Sequence, residues 1–593
     1  MLEGGGNRSF RAVTAPVARV RPKHRWNIPE PPDPEAVARL QRELHLPEPL
    51  CRLLAGRGLA DIDGAKVYLR PRLDQLHDPC LMLDLERAVD RICQAIDRGE
   101  TILIHGDYDV DGMCSTTLLT KTVRMLGGTV VPFIPRRIED GYDLGQAGVD
   151  AALRAGARLV VTCDCGTSAH EPVRALQDAG IDVIISDHHL PSAGALPKAF
   201  AVLNPKRPGC TSPDRDLAAV GVAFKLALAL VRKRKGNENA VYGMLDLVAL
   251  ATIADIAPLR GENRVLARYG LKMLNETQNI GLRALIRATG LAEKTITAGR
   301  VGFILAPRLN AVGRLGHAIR GVELLLCNDE HRANAIARDL EELNERRQEV
   351  DRATLVRARE MLDDVDMDDT YGIVLAEEGW HPGVIGIVAS RVVEEFGRPT
   401  VLIALEGNAG KGSGRSIAPF DLHSGLSACR DLLLRFGGHR SAAGVTIDRA
   451  QLPAFTERFN AIARERLTPD DLVPELRADL DVSLGELTLQ LESLLRHIEP
   501  CGVGNPSPVL ITRGVTVAGP PKVVGREQEH LKLWLADSAG THIEALGWGM
   551  AKRAGEVEQG AVIDVAFRLE SDEWNGEKKL QARLADMRLA LSV

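Results

Sequence analysis

Short apolar segments that alternate with helical stretches constrain the fold of this chain more than any other feature. Five of them are rich in β-branched residues and are followed by polar residues or glycine: Thr101–Ile104, Val130–Ile134, Leu159–Thr162, Val183–Ile185 and Ala201–Leu203. This alternation predicts a parallel α/β sheet. Ligands of such sheets bind at the carboxyl ends of the strands, so the residues that follow each segment are the first candidates for chemistry.

Acidic residues and histidines occupy several of these positions. They are His105, Asp107, Asp109 and Asp111 after the first segment, Asp164 after the third, Asp187, His188 and His189 after the fourth, and Asp255 at the end of the apolar stretch Leu245–Ala254. Each alone has an ordinary explanation as a turn, a helix cap or a polar loop. Together they would repel one another unless cations lay among them, so the pattern predicts a metal site.

The mixture of carboxylate and imidazole ligands indicates which metal to expect. It suits divalent ions of intermediate softness, so we expect Mn²⁺, with Mg²⁺ as a substitute. The candidate ligands are numerous enough for two ions. Two ions roughly 3.5–4 Å apart can clamp the attacking and leaving oxygens of a phosphate ester, so hydrolysis of phosphorus–oxygen bonds is the expected reaction.

The rest of the chain predicts further domains. A helical region follows the sheet, and the stretch from Asp329 to Leu362 contains neither Gly nor Pro, which predicts a long connecting helix. A second α/β unit begins near Tyr371, and alternating strands after about Leu472 predict a small β-barrel. The predicted segments are an N-terminal extension with a helical part (1–75), the catalytic α/β domain (76–328), the connecting helix (329–362), the second α/β domain (363–468) and the β-barrel (469–593).

Charge and composition limit the possible partners and location. The net charge of −6 argues against adhesion to DNA over the whole surface, so a polyanion must be bound in a local groove. No apolar run is long enough to cross a bilayer, and we expect no membrane role. The ten cysteines form no zinc-binding CxxC pair, which favours a reduced, cytoplasmic environment.

Three motifs resemble those of the DHH phosphoesterase superfamily, and nearly the whole chain resembles RecJ-type exonucleases. The motifs are Asp107–Gly112, Asp187-His188-His189 and Phe436-Gly437-Gly438-His439. The resemblance implies a DHH domain, a DHH-associated domain and an OB-fold. It also implies that His105 and Asp109 hold one ion, that Asp111, His188 and Asp255 hold the other, that Asp164 bridges them, and that His189 faces the scissile phosphate. Asp107 either binds an ion or supports a ligand.

Donors opposite the metals should bind the phosphates of the substrate. The candidates are Arg136, Arg137, Arg308, Asn310, Arg314, Ser413, Arg415, Gly437, Gly438 and His439, because arginine forks and glycine N–H groups match phosphate oxygens. Any one arginine could equally be an ordinary surface charge, and Gly437-Gly438-His439 a simple turn. In the barrel, Trp534, Trp548 and Trp574 could stack on bases or belong to the core.

The resemblance implies a metal-dependent exonuclease that degrades single-stranded DNA from 5′ to 3′, releases 5′-mononucleotides and acts in DNA repair and recombination. The expected partners are a single-strand-binding protein or a helicase, and we expect a monomer. Two alternatives remain. One is a phosphohydrolase of small or short-oligonucleotide substrates, against which the length of the chain argues. The other is a noncatalytic replication scaffold, against which the intact ligand set argues.

Overall fold

The structure is a computed structural model that describes residues 24–191, 194–574 and 577–590, so the first 23 residues of the predicted N-terminal segment lie outside it. The chain forms two compact units, one comprising Asn27–Val350 with Arg477–Val593 and the other built around Asp351–Leu476. The N-terminal elements are β1 (Arg25–Asn27), α1 (Pro34–Leu44), α2 (Glu48–Gly56) and α3 (Ile62–Leu69). Capping explains where two of these helices begin, because Asp33 accepts a hydrogen bond from the N–H of Glu35, and Asp61 accepts one from that of Gly64.

A five-stranded parallel sheet forms the centre of the larger unit. Its elements are α4 (Leu85–Asp97), β2 (Thr101–Gly106), α5 (Val110–Met125), β3 (Thr129–Phe133), α6 (Gln146–Arg154), β4 (Leu159–Cys163), α7 (His170–Asp178), β5 (Asp182–Ser186) and β6 (Ala201–Leu203). The strand order is β3-β2-β4-β5-β6, and all five strands are parallel. The chain adds β3 on one side of β2 and the later strands on the other side, so the topological switch point lies between β2 and β4. Crevices at such a switch point are where α/β sheets bind ligands. The predicted parallel sheet is confirmed.

Helices pack beside this sheet. They are α8 (Ala219–Lys233), α9 (Glu238–Tyr242), α10 (Leu245–Ala254), α11 (Gly261–Asn275), α12 (Ile280–Ala288), α13 (Ala298–Arg300), α14 (Ala306–Leu315), α15 (Ile319–Leu326) and α16 (Glu330–Leu362), with a π-helical segment (Val301–Leu305) before α14. Helix α10 is apolar on all sides and is buried in the core. Helix α16 is the predicted connecting helix, and its 33 residues run without a break. Among the described residues, no helix is both long and apolar enough to span a membrane.

The second unit contains a mixed sheet. Its elements are β7 (Ile373–Glu378), α17 (Ile385–Phe396), β8 (Thr400–Glu406), β9 (Ala409–Arg415), α18 (Leu422–Ser427), β10 (Arg435–Gly438), β11 (Ala442–Asp448) and α19 (Leu452–Arg466). The strand order is β10-β11-β9-β8-β7, and only β7 and β8 run parallel. Phe420, Phe455 and Phe459 fill the core between sheet and helices.

The C-terminal part is a β-barrel, as predicted. After β12 (Glu475–Arg477), its elements are β13 (Leu480–Asp481), α20 (Leu489–Leu495), β14 (Leu510–Val517), β15 (Lys522–Val524), β16 (His530–Ala536), β17 (His542–Gly547), β18 (Val562–Trp574) and β19 (Glu577–Leu589). The strand order is β13-β14-β18-β19-β17-β16-β15, and an additional pairing between β14 and β16 closes the barrel. Strand β12 pairs instead with β1.

A buried arginine joins the barrel segment to the catalytic domain. Arg264 of α11 is 3% exposed, and its guanidinium lies 4.3 Å from the ring centroid of Tyr68 in α3. It donates hydrogen bonds to the carbonyl oxygens of Tyr68 (3.1 Å), His497 (3.0 Å) and Ile498 (2.7 Å), the last two lying just before β14. One side chain therefore links three separate segments of the larger unit.

Candidate active site

The loop after β2 places three aspartates at the switch point of the sheet. Asp109 is the N-cap of α5, and its Oδ1 accepts hydrogen bonds from the N–H groups of Asp111 (2.9 Å) and Gly112 (3.0 Å). Gly112 permits this tight turn, because a Cβ there would lie 2.4 Å from the carbonyl oxygen of Asp107. The sequence therefore folds locally so that Oδ1 of Asp107, which has no hydrogen-bond partner, and the second oxygen of Asp109 remain available at the sheet edge.

Asp111 is oriented by a neighbouring helix. Its Oδ2 and Oδ1 accept hydrogen bonds of 2.8 Å each from the N–H groups of Ala219 and Val220, at the start of α8. Helix α8 has no capping side chain of its own, so this carboxylate takes that place and benefits from the positive end of the helix dipole. The contact fixes the position of Asp111 although it is 109 residues away in sequence from Val220.

Asp187 organises the histidine pair. Its Oδ1 accepts hydrogen bonds from the N–H of His188 (2.7 Å) and from Nδ1 of His189 (2.8 Å), and its Oδ2 accepts one from the N–H of Thr167. Burial lowers the pKa of His189, but the hydrogen bond to Asp187 and the negative charges of Asp187, Asp255 and Asp109 together outweigh burial and raise the pKa to about 9. His189 therefore carries a positive charge at neutral pH and has Nε2 directed away from Asp187.

The potential ligand atoms form three groups, and the atoms within each group lie within 4.8 Å of one another. The groups are Asp107 with Asp109 and Asp164; Asp111 with His188 and Asp255; and Asp164 with His188 and His189. The Nε2 atom of His188 is 3.1 Å from Asp164, 3.7 Å from Asp255 and 4.0 Å from Asp111. Asp164 belongs to two of the groups and so connects them, at a backbone φ of 65° that aspartate tolerates better than most residues.

His105 belongs to none of these three groups. It is fully buried at the end of β2, its Nδ1 lies 3.5 Å from Sγ of Cys165, and its Nε2 has no hydrogen-bond partner. Burial lowers its pKa to about 4, so the imidazole is neutral at physiological pH. Gly148 of α6 borders the ring closely, because a Cβ there would lie 2.7 Å from Nε2. Binding of an ion by His105 stays a prediction.

The donor set fits divalent cations. Asp107, Asp164 and His188 each bury a polar side-chain atom that forms no hydrogen bond. Burial raises the pKa of Asp111 to about 7 and that of Asp255 to about 9, and the negative charge of Asp109 adds to both shifts. A carboxylate cluster this deeply buried is costly on its own, and cations among the oxygens remove the repulsion.

Tyrosines beside the histidine pair were not anticipated from the sequence. The hydroxyl of Tyr142 lies 3.4 Å from Nε2 of His189, and its ring meets that of Tyr108 edge to face at 6.1 Å. Arg137 in turn stacks over Tyr108 at 4.8 Å. Asp143, at a φ of 76°, accepts a hydrogen bond from the N–H of Gly166 and so ties this loop to the segment after β4. A tyrosine next to a glycine in a loop carries no pattern that would mark it.

The remaining predicted phosphate-binding residues of this unit lie in different settings. Arg308 forms a bidentate ion pair with Glu341 of α16 (2.7 and 2.9 Å), and Arg136 pairs with Asp140 and Glu139. Asn310 accepts a hydrogen bond from the N–H of Val110 and so supports the start of α5. The positive charge of Arg314 lies close enough to Tyr108 to lower the pKa of its hydroxyl, although burial raises that pKa overall. Phosphate binding by these residues stays a prediction.

The second unit brings its own candidates together. Arg415 donates hydrogen bonds to Oγ of Ser413 (3.0 Å), and both side chains border Gly386 at the beginning of α17. Strands β9, β11 and β10 are neighbours, and His439, which follows Gly437 and Gly438 of β10, lies 3.1 Å from the hydroxyl of Ser441. Gly438 is required here, because it has a φ of 140° and a Cβ would lie 2.4 Å from the carbonyl oxygen of Ala442.

The barrel exposes two of its three candidate tryptophans. Trp534 and Trp548 are 44% and 53% exposed, and they neighbour Lys532 and Arg583, respectively, at 6.0 Å. The side chain of Trp574 lies outside the described residues. Neither exposed indole belongs to the barrel core, so both remain available for stacking.

Three family models match the chain. They are "DHH family, N-terminal domain" over residues 101–252, "DHHA1 domain" over residues 369–465 and "RecJ OB domain" over residues 478–586. The first range contains every aspartate and histidine of the metal-ligand candidates except Asp255.

Curated relatives and solved structures match over most of the chain. The single-stranded-DNA-specific exonuclease RecJ of Bacillus subtilis is 36% identical over 95% of this chain and 71% of its own length. That of Dickeya dadantii is 36% identical over 90% of this chain and 95% of its own length. Crystal structures of RecJ from Thermus thermophilus in complex with Mn²⁺ and with Mg²⁺ superpose with TM-scores of 0.83 and 0.77, at 32% and 31% identity, and each covers 96% of this chain and 80% or 79% of the solved one. The chain therefore belongs to the RecJ family of DHH-domain proteins.

Proposed function

We propose that the chain is a metal-dependent exonuclease that hydrolyses single-stranded DNA from 5′ to 3′ and releases 5′-mononucleotides, in DNA repair and recombination. The observation that carries the proposal is a cluster of carboxylates and imidazoles whose ligand atoms form three groups, the atoms of each group lying within 4.8 Å of one another. Its members are Asp107, Asp109, Asp111, Asp164, His188, His189 and Asp255. The relatives that share this fold are named single-stranded-DNA-specific exonucleases.

We propose that two ions, Mn²⁺ or in its place Mg²⁺, are held by two of these groups. His105, Asp107 and Asp109 would hold one ion. The other ion would be held by Asp111, His188 and Asp255, and Asp164 would bind both ions. When bound, such ions neutralise phosphate oxygens and make an attacking water more acidic. The T. thermophilus relatives were crystallised with these same two metals.

The protein's own groups orient the phosphate. His189 is charged because Asp187 holds its Nδ1–H, so its Nε2–H can donate to a phosphate oxygen and stabilise the negative charge that develops there. Tyr142 lies beside that nitrogen and limits the directions in which the imidazole can turn. Asn204 donates to the carbonyl oxygen of His189 at 2.8 Å and fixes the backbone of the pair.

We propose that Ser413, Arg415 and His439, with the glycine N–H groups of Gly437 and Gly438, bind phosphates of the DNA strand near its 5′ end. Support comes from the paired side chains beside the start of α17, where a helix N-terminus adds favourable charge. Arg136, Arg137, Arg308, Asn310 and Arg314 are proposed to contribute on the catalytic domain, Arg308 by exchanging its carboxylate partner for phosphate.

Product analysis tests the function. A single-stranded oligonucleotide labelled at the 5′ end in one sample and at the 3′ end in another is incubated with Mn²⁺ or with a chelator. We expect the 5′ label to leave first as a mononucleotide while the 3′-labelled strand shortens gradually, and no cleavage with chelator. Loss of the 3′ label first would refute the polarity. Faster turnover of pyrophosphate or a cyclic dinucleotide would favour the small-substrate alternative.

A matched pair of variants tests the site. Asp164→Asn should lower turnover on the order of 10³-fold, because it removes one negative charge between the two ions. Asp178→Asn changes an exposed carboxylate on α7 in the same way and should leave turnover unchanged. Mn²⁺ binding by both variants is measured calorimetrically. Wild-type turnover in Asp164→Asn would refute the site, whereas a wild-type chain without turnover would favour the noncatalytic scaffold.

Partners, location and domain limits are also proposals. We propose that the protein is a monomer, which light scattering tests. We also propose that it binds a single-strand-binding protein or a helicase, since such proteins cover or generate single strands. All ten cysteines are free thiols, which supports a reducing cytoplasm. The predicted domain limits can be tested by limited proteolysis.

A further inference from the structure

Ile256, the residue after Asp255, adopts a backbone conformation that isoleucine normally avoids. Its φ is 60°, in the left-handed region. It follows the end of α10, where its N–H donates to the carbonyl oxygen of Ile253 and the N–H of Ala257 donates to that of Thr252. These two hydrogen bonds form a Schellman motif, whose left-handed position is usually glycine or asparagine.

The choice of isoleucine here is unusual within this chain. Seven non-glycine residues have a positive φ among the described residues, and Ile256 is the one with a β-branched side chain. Branching at Cβ makes the left-handed region especially unfavourable. Lys235 forms the same motif at the end of α8, with N–H donation to Arg232 and, through Gly236, to Val231, but its side chain is unbranched.

Packing does not offset this strain. The side chain of Ile256 is 66% exposed, whereas Ala257 beside it is buried. A glycine or asparagine would satisfy the same hydrogen bonds with less strain, so folding does not explain the isoleucine. An exposed apolar side chain that is kept in a strained conformation directly next to a candidate metal ligand points to a contact outside the protein.

We infer that Ile256 contacts the base or the deoxyribose of the nucleotide whose phosphate is cleaved. This inference rests on the proposed function. The Cα atom of Ile256 is one residue, about 3.8 Å, from that of Asp255, whose carboxylate lies 3.7 Å from His188. A phosphate bound among these groups brings its own nucleoside within reach of the next side chain.

The chemistry of the occupant agrees with an apolar contact. A deoxyribose offers C–H groups and a base offers a π face. Neither group is charged, so an apolar side chain suits it better than an aspartate or a histidine does. Leu190, which follows His189, is 77% exposed and places a second apolar side chain next to a residue of the site. We assign the primary contact to Ile256, because it alone is held at the cost of backbone strain.

Two matched variants separate strain from substrate contact. Ile256→Gly and Lys235→Gly relieve the same left-handed strain, and Lys235 lies at the opposite end of α8 from Ala219, about 20 Å along the helix. We expect both to raise the Tm by about 1–3 °C. We expect kcat/KM on single-stranded DNA with Mn²⁺ to fall about 10- to 100-fold in Ile256→Gly and to stay unchanged in Lys235→Gly. Ile256→Val should keep most of the activity.

A terminal abasic nucleotide identifies the contacted group. If Ile256→Gly and wild type cleave that substrate equally, the contact is with the base, and if the defect persists it is with the deoxyribose. Affinity for a fluorescein-labelled single strand, measured by anisotropy, should weaken in parallel. Equal kcat/KM and affinity for Ile256→Gly and Lys235→Gly would overturn the inference while leaving the proposed function intact. A wild-type chain that fails to cleave single-stranded DNA would overturn the proposed function and this inference together.

Discussion

Replacing Arg264 by methionine should destabilise the larger unit, because two of the carbonyl groups that accept hydrogen bonds from its guanidinium have no other donor among the described residues. The carbonyl oxygens of Ile498 and Pro500 also accept hydrogen bonds of 2.8 Å from Nδ2 of Asn505, so they keep a partner in Arg264→Met. Those of Tyr68 and His497 accept from Arg264 and from no other donor among the described residues. The substitution therefore leaves two partly buried acceptors without a donor from the protein.

The magnitude follows from those two acceptors. Water can replace part of the lost donor at these partly buried carbonyls, so each costs about 1 kcal/mol, and the free energy of unfolding should fall by about 2 kcal/mol. Urea unfolding followed by tryptophan fluorescence measures it, with Trp534 and Trp548 reporting on the barrel. Arg268→Met is the control, because Arg268 donates to the carbonyl oxygen of Glu499 (2.7 Å), which also accepts a hydrogen bond from Arg264. This variant should lower the free energy of unfolding by less than about 1 kcal/mol. Equal losses in the two variants would refute the reasoning.

Three further predictions concern metal, packing and pH. Mn²⁺ at a hundred times its Kd should stabilise the protein by about 2.7 kcal/mol per ion. Calorimetry with and without chelator measures this, and an unchanged Tm would contradict it. Gly148→Ala should weaken Mn²⁺ binding about tenfold by displacing the ring of His105. The added methyl group of Gly56→Ala meets open space, so this control should bind Mn²⁺ as the wild type does, and a Mn²⁺ titration of both variants tests the prediction. Burial raises the pKa of Asp84, but hydrogen bonds from Arg207 and a backbone N–H outweigh it and hold the pKa below 3.8. The stability this group contributes is present above the unfolded value of 3.8 and is lost as the pH falls through the lower folded value, so the urea midpoints of wild type and Asp84→Asn should differ at pH 7 and converge as the pH falls below 3.8.

The sheet and the metal cluster could be predicted because their signals are local. Buried parallel strands need β-branched residues on both faces, and that composition is visible in the sequence around Val160 and Ile184. The fold then brings the ends of the strands together, so Asp109 and Asp164 could be assigned to one site without knowing any side-chain conformation. The barrel and the connecting helix were predictable for the same reason of periodicity.

What could not be predicted depends on partners that are distant in sequence. Arg308 has the appearance of a phosphate ligand, but Glu341 lies 33 residues away and pairs with it only after α14 and α16 pack together. Asp111 is held by the start of α8, and Tyr142 reaches His189 through a loop that has no periodicity. His105 illustrates a further limit, because its position after a strand is predictable while the direction of its ring depends on Cys165 and Gly148.

The capping of α5 by Asp109 has an evolutionary consequence. A single oxygen, Oδ1, accepts both backbone hydrogen bonds, so an asparagine would keep that oxygen and the start of the helix while losing the negative charge. Aspartate and asparagine codons differ by one nucleotide. A descendant that keeps the start of α5 while losing this negative charge is therefore one point mutation away.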